Sequence, residues 1–358
     1  MSDQIVFLAQ YPDETNIMDG MMQRIKNVDN YFLGLSRTYL QVSLVNNRRY
    51  TATTNGELTI VRLNLFLHIR TVLRLLKRSK YLYFHSLWNF LPLTFFSLKN
   101  KRIVLDLHGV VPEELDFYNR KSLSKLFGWS EKIVMRKVNA LIYVNRAMQH
   151  FYGTKYPYLL QRENYVCPLI AGEDEEKSVS FDEAAFRKEI GIREEDVVFI
   201  YSGNIQKWQN FDLVLDLVKN LDNLAYKFLF LSRDIAGIQK LMQEKGMELH
   251  ADRYKFFTVK PENLYKYYSI AHYGFVLRDD HILNRVATPT KLLEYINYGI
   301  IPIVKLDEIG DFKSKGYEYI PMTGLNNNMM KAKSELNQQI FLDLKNETNL
   351  NIKNIALR

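Results

Sequence analysis

The sequence predicts an α/β protein of two tandem domains, each a parallel sheet covered by helices on both faces. Three observations lead there. Strand-like apolar runs alternate with helix-like segments almost throughout the 358 residues, which is the pattern of strand–helix–strand units. That length is long for one hydrophobic core and comfortable for two. The alternation breaks once, at AGEDEEKSVSF (171–181), whose glycine and acidic run read as an interdomain linker. Domains are therefore expected at 1–170 and 182–324, with a C-terminal helix and tail at 325–358.

In the first half, strands are expected at Ile5–Ala9, Leu40–Val45, Tyr81–His85, Ile103–Leu107, Ala140–Val144 and Tyr165–Cys167. Helices are expected between them, around 20–36, 63–79, 88–98, 123–138 and 146–154. In the second half the expected strands are Val197–Ser202, Lys227–Leu231, Lys255–Thr258, Tyr273–Leu277 and Ile301–Val304. Residues 81–98 carry no Lys, Arg, Asp or Glu. Their polar interruptions (His85, Asn89 and Pro92) favour a buried strand followed by a helix over a membrane span. The Asn-rich stretch after Gly324 reads as a helix with a loosely held end.

Composition excludes several classes. Glycine (16) and proline (9) are too few for collagen-like or linker-rich chains. Cys167 is the single cysteine, so neither an intramolecular disulfide nor a multi-cysteine zinc site can form, and a reducing compartment is expected. The start, MSDQIVFLAQYPDETN, lacks the basic flank and small-residue cleavage site of a secretory signal. The location expected is cytoplasmic, including a peripheral one at the inner membrane face. The seven histidines show no ligand spacing, so no metal is expected, and no cofactor besides a donor substrate.

Charge is uneven. Through Cys167 there are 23 Lys+Arg against 12 Asp+Glu, a net of +11, whereas the remainder carries −3. A basic first half suits anionic headgroups, a phosphorylated acceptor or nucleic acid. No nucleic-acid module or aromatic-basic platform accompanies it, so nucleic acid is not expected. The segment LNLFLHIRTVLRLLKRSK is amphipathic and basic, which fits either an anionic membrane surface or an ordinary covering helix.

The most informative block is RDDHILNRVATPTKLLEYINYGIIPIV, residues 278–304. Thr288 reads as an N-cap, Pro289 as the first helical residue, and Leu292, Leu293 and Ile296 as an apolar face. Gly299 ends the helix before the strand IPIV. The helix start, with Thr288, Thr290 and Lys291, would offer free N–H groups beside the cations Arg285 and Lys291, a suitable cradle for a diphosphate. Glu294, one turn on, stands where ribose hydroxyls would donate to it.

PTKLLEYINYGIIPIV resembles the donor-binding helix of family 4 and related glycosyltransferases of the GT-B fold. YSGNIQKWQNFDLVLDLV (201–218) resembles their first strand–loop–helix of the C-terminal domain. The resemblance implies two Rossmann-like domains facing across a cleft, with Gly203 opening the donor loop. It also implies sugar transfer from a nucleotide diphosphate donor, with retention of configuration and no metal. Two departures stand out. Val286 occupies the place of a Glu that the family usually carries eight positions before the helix Glu. Asn204 and Gln209 replace the usual Arg and Lys, leaving Lys207, Arg278 and Arg285 to supply cations.

In the first half, the loop DLHGVVPEELDFY follows a strand, and the resemblance gives His108 a place beside the donor sugar. Gly20, His85 and Glu113 are candidates for the acceptor side, and Glu114 and Ser86 adjoin them. The acceptor expected is a glycan or a lipid-diphosphate-linked sugar in cell-surface polysaccharide synthesis. The alternatives are a non-catalytic partner subunit of a glycan assembly complex and a sugar-nucleotide epimerase of the same fold.

Overall fold

The computed structural model describes residues 5–17, 19–168 and 181–356. The predicted linker therefore lies outside the described residues except for Phe181. The chain divides into two compact units, Met1–Ile170 with Asn346–Arg358, and Ala171–Lys345.

The first unit runs β1 (Ile5–Leu8), α1 (Gly20–Asn30), β2 (Arg37–Ser43), β3 (Thr51–Asn55), β4 (Leu58–Asn64), α2 (Ile69–Arg78) and β5 (Tyr81–His85). It continues with α3 (Ser86–Phe90), β6 (Arg102–Leu107), α4 (Val111–Phe117), α5 (Lys121–Lys137), β7 (Ala140–Tyr143), α6 (Arg146–Lys155) and β8 (Glu163–Val166). The sheet order is β3-β4-β2-β1-β5-β6-β7-β8, parallel except for the edge strand β3. Strands β1 and β7 are apolar at every position, as suits strands covered on both faces. Phe7 anchors the core, stacking on Tyr39 at 5.0 Å.

Three differences from the sequence reading arise here. The segment expected to be helical from residue 63 is still strand through Asn64, because Val61 and Leu63 are buried on the sheet while only Val72 and Leu76 of α2 reach the core. The β3–β4 hairpin is an addition, turned by Gly56–Glu57 with Gly56 at φ +56°. The predicted helix at 88–98 is shorter: α3 gives way to a 3-10 turn at Leu91–Leu93, where Pro92 lacks the N–H a helix needs. Among the described residues no helix is long and apolar enough to cross a membrane.

The second unit runs α7 (Glu183–Glu189), β9 (Val197–Ser202), α8 (Phe211–Lys219), β10 (Tyr226–Leu231), α9 (Ile235–Glu244), β11 (Tyr254–Phe257) and α10 (Leu264–Ile270). It continues with β12 (Tyr273–Val276), α11 (Ile282–Arg285), α12 (Thr290–Asn297), β13 (Ile301–Val304), β14 (Ile320–Pro321) and the start of α13 (Glu335–Ala356), whose residues from Asn346 on belong to the first unit. Its parallel sheet has the order β11-β10-β9-β12-β13-β14. That is the Rossmann order, with the direction of winding reversing between β9 and β12. Around Phe199 and Phe228 the core is largely aromatic. The stretch expected to be a helix with a loosely held end is α13, and its last turns, within the first unit, bury Ile352 and Ile355 in the core around β1.

Candidate functional site

In an open parallel sheet, ligands bind beyond the carboxyl ends of the strands where the winding reverses. In the second unit that point lies between the ends of β9 and β12. All six side chains of β9 are buried, and the strand ends on Ser202 and Gly203. Gly203 sits at φ +134°, a conformation other residues avoid. A Cβ there would lie 3.4 Å from the Lys291 ammonium, so the chain approaches that cation closely.

α12 delivers Lys291. The helix starts at Thr290, one residue later than the sequence suggests. Pro289 holds the cap position at ψ 125° and its carbonyl accepts from Leu292, so neither Thr288 as cap nor Pro289 as first helical residue describes this start. The C-terminus follows expectation. Gly299 is left-handed at φ +66°, the N–H of Ile300 donates to Tyr295 O at 2.9 Å, and that of Gly299 to Ile296 O at 3.1 Å.

Lys291 is only 7% exposed, and among the described residues its Nζ has no hydrogen-bond partner. It lies 4.2 Å from the centre of the Tyr201 ring. Burial, with Arg278 adding repulsion and Glu294 opposing, holds its pKa well below the ordinary lysine value. Three residues along, Glu294 is half-buried and its carboxyl is pushed up to about 7 by burial, against the opposing effects of Tyr268 and Lys291.

Tyrosines brace this corner. The Tyr268 hydroxyl donates to Glu294 Oε2 at 2.7 Å and lies 2.9 Å from Ser202 Oγ. The Tyr295 hydroxyl accepts from the Ser202 N–H at 3.0 Å. Tyr295 fits because Gly274 of β12 has no side chain: a Cβ there would sit 2.4 Å from its ring. Tyr201, Tyr268, Tyr295, Ser202 and Gly274 escaped the sequence reading, since aromatic residues at these spacings look like ordinary core.

The other donor candidates are placed as follows. Arg278 Nη1 donates to the buried Asn284 Oδ1 at 3.3 Å, and Asn284 is in turn tied to Asp279 O at 2.8 Å. Arg285 is exposed and engaged with Asp280 (2.5 and 2.7 Å) and Glu308. Two carboxylates therefore already neutralise it. The Asn204 carbonyl accepts from the Tyr201 hydroxyl, and Lys207 is exposed on the following 3-10 turn. Thr288 lies in the α11–α12 connection, and Val286 is buried.

The first unit has its own polar centre, at the ends of β5 and β6. Asp106 is fully buried and accepts from Arg24 of α1 (Nε at 3.0 and 3.1 Å, Nη2 at 2.6 Å) and from the Tyr83 hydroxyl at 3.1 Å. Arg24 also donates to Cys167 O at 2.7 Å. Burial alone would raise the Asp106 pKa, but Arg24 and His108 hold it well below the usual range. His85 Nδ1 and His108 Nε2 approach Asp106 Oδ2 at 3.5 and 3.3 Å. His85 has no exposed surface and is pushed down to about 4 by burial, so it is neutral. It therefore offers nothing directly to an acceptor and belongs to the Asp106 network. The residue after it, Ser86, is held at φ +72°, a strained backbone of the kind found at functional positions. His108 keeps 13% of its side chain exposed and is the open member of the group.

His85, Asp106 and His108 bring ligand atoms within 4.8 Å of one another, a cluster that sequence spacing did not suggest. Arg24 already occupies both oxygens of Asp106, so a cation placed there would face a guanidinium at hydrogen-bond range. Elsewhere in this unit, Gly20 opens α1 behind its cap Asp19, which accepts from Met21 and Met22. Glu113 pairs with Lys155 at 2.7 Å, and Lys155 also reaches the buried Glu131 at 2.6 Å.

No protein-family model matches the chain, and no curated protein matches it. Solved structures do. Sucrose-phosphate synthase (tll1590) from Thermosynechococcus elongatus is similar with 12% identity, a TM-score of 0.60, and coverage of 99% of this chain and 94% of that one. Anabaena Alr3699/HepE, solved in complex with UDP-glucose, has 10% identity, a TM-score of 0.64 and coverage of 99% and 94%. A UDP-forming α,α-trehalose-phosphate synthase from Burkholderia xenovorans, in complex with glucose-6-phosphate, has 11% identity, a TM-score of 0.61 and coverage of 99% and 97%. At such identity the likeness speaks to fold, and on that ground the chain has the two-Rossmann-unit architecture of the GT-B glycosyltransferases.

Proposed function

We propose that the chain is a glycosyltransferase that moves a sugar from a nucleotide diphosphate donor to a glycan or lipid-diphosphate-linked acceptor, with retention of configuration, in cell-surface polysaccharide synthesis. The observation that carries this reading is Lys291, a buried ammonium without a hydrogen-bond acceptor among the described residues, beside Gly203 and at the start of α12. A buried cation is costly unless it is paired. A diphosphate would supply the pairing, and the free N–H groups of the first turn of α12 would add to it. Arg278 and Lys207 are the further cations for that group, with Thr290 and Asn204 alongside. Arg285 is already neutralised and enters only by giving up Asp280 or Glu308.

Glu294 would accept from the ribose hydroxyls, a role in which its carboxylate form is favoured by the new donors. In the transfer itself, the bond from the sugar C1 to the diphosphate oxygen breaks and a bond to the acceptor oxygen forms. The acceptor proton passes to the departing diphosphate oxygen, whose charge Lys291 and the helix start stabilise. His108 would hydrogen-bond the sugar. The solved complex of HepE with UDP-glucose and the UDP-forming synthase favour a uridine nucleotide among the donors.

A thermal-shift screen of nucleoside diphosphates and their sugars tests the reading, because a ligand of the folded state raises the melting temperature. A shift with a nucleoside diphosphate that Lys291→Ala weakens is the expected result. No shift with any nucleotide sugar would reject it. Donor consumption without any acceptor, giving a changed sugar, would identify an epimerase instead.

A further inference from the structure

We propose that the first unit docks onto an anionic lipid surface through two turns clamped together by Asn64 and through the outer side of α2. The turn after β2 and the turn after β4 are tied to one buried side chain. The Asn64 amide donates to Leu44 O at 3.2 Å and Asn46 O at 3.0 Å, while its Oδ1 accepts from the N–H groups of Phe66 (3.0 Å) and Leu67 (3.3 Å). The clamp sets two loop tips side by side and leaves their apolar side chains in solvent: Val45 is 73% exposed, Phe66 70% and Leu67 63%. Ile69 and Leu73, one turn apart on α2, are also exposed, although α2 already packs Val72 and Leu76 into the core. This helix is apolar beyond the stripe its own unit uses. Exposed apolar groups fixed together in this way mark a binding surface.

Charge identifies the partner. Between Leu44 and Val104 stand eleven Lys and Arg and a single acid, Glu57, in the exposed β3–β4 turn. Arg48 and Arg49 follow the first turn, and Arg70, Arg74, Lys77 and Arg78 are exposed along α2. Apolar tips ringed by cations match the boundary between acyl chains and anionic headgroups, where the tips enter and the cations stay at headgroup level. A second copy would bring like charge against like charge. A nucleic acid would gain nothing from Val45, Leu67 or Leu73. The inference does not depend on the donor chemistry, although a surface-held enzyme suits a lipid-linked acceptor.

Sedimentation of the full chain with vesicles of phosphatidylcholine, alone or mixed with phosphatidylglycerol, tests it. Binding to the mixed vesicles that weakens with salt is expected. Phe66→Ser with Leu67→Ser should lower partition roughly tenfold or more through lost apolar burial. Arg70→Glu with Arg74→Glu should lower it roughly 25-fold or more, at about fivefold per cation near such a surface. All four positions are exposed, so melting temperatures and nucleotide binding should stay as in the parent chain. Leu224→Ser, at an exposed site on the second unit, should change nothing. Absence of vesicle binding, equal binding to neutral vesicles, or indifference to both double substitutions would overturn the proposal and leave the donor reading untouched.

Discussion

Replacing Lys291 with Met should make the ligand-free protein more stable and its nucleotide binding weaker. The side chain keeps most of its length but loses a charge that the described residues leave without a hydrogen-bond acceptor. Burying an ammonium costs several kcal/mol even after relaxation. The Tyr201 face, 4.2 Å away, returns about 2 kcal/mol at most. Glu294, with its carboxyl shifted to about 7, is only partly ionised and returns little more. A net penalty of about 1–3 kcal/mol remains for the substitution to relieve. The sign of the pH dependence agrees. A lysine whose folded pKa lies below its ordinary 10.5 binds its proton more readily unfolded, so its penalty fades as pH rises toward that value. Urea unfolding at neutral and alkaline pH should show the Met variant more stable at neutral pH and converging with the parent at high pH. Calorimetry with a nucleoside diphosphate should show a loss of about 1.5–3 kcal/mol, the scale of a charge-assisted contact. A variant that is less stable, or that binds the nucleotide as before, would refute the assignment of Lys291 as a cation held for a ligand.

Three further outcomes follow from the same geometry. Gly274→Ala should destabilise the second unit by about 2–4 kcal/mol, because its Cβ would meet the Tyr295 ring at 2.4 Å; a loss within about 0.5 kcal/mol in denaturant unfolding would mean the ring has room to move. Glu294→Gln should flatten the pH dependence of stability. With its folded pKa raised from 4.5 to about 7, the carboxyl gives stability that is full below 4.5 and is lost as pH rises to 7. The limit is about 3 kcal/mol, and an unchanged profile would count against a buried Glu294. His108→Ala should lower turnover roughly a hundredfold while binding of the bare nucleoside diphosphate stays within about twofold, since that ligand lacks the sugar; full turnover in steady-state assays with acceptor would leave His108 a loop residue.

The sheet strands were legible because buried parallel strands are short, continuous and apolar, as Val197–Ser202, Tyr81–His85 and Ile301–Val304 show. The run around residue 63 was misread because LNLFLHI carries apolar residues at helical as well as strand spacing, and only pairing with β2 settles it. Helix α12 and its glycine stop were legible from local chemistry, but its start depended on the backbone at Pro289, which sequence does not fix. Charge partners were illegible. Arg24 and Asp106 are 82 residues apart, and nothing local to either announces the other. The same holds for Arg285 and Glu308, whose contact makes an apparent free cation part of an ion-pair cluster.

The two units solve the same electrostatic problem in opposite ways. Each has its winding reversal next to its first strand, β1 in one and β9 in the other, and each places ionisable groups near strand ends on that side. In the first unit the charges are closed upon themselves: Arg24 holds Asp106 through three short contacts, His85 is neutral, and His108 is the member left accessible. Such a centre attracts no ion strongly, but it presents a hydrogen-bonding ring on a rigid base, which suits an uncharged sugar. In the second unit the cation is left open and Glu294 is poised between its two forms, which suits an anion with hydroxyl groups behind it. A buried pair is costly to break and an unpaired buried cation is costly to keep. The first arrangement therefore stabilises its own fold, whereas the second is stabilised only when its ligand arrives.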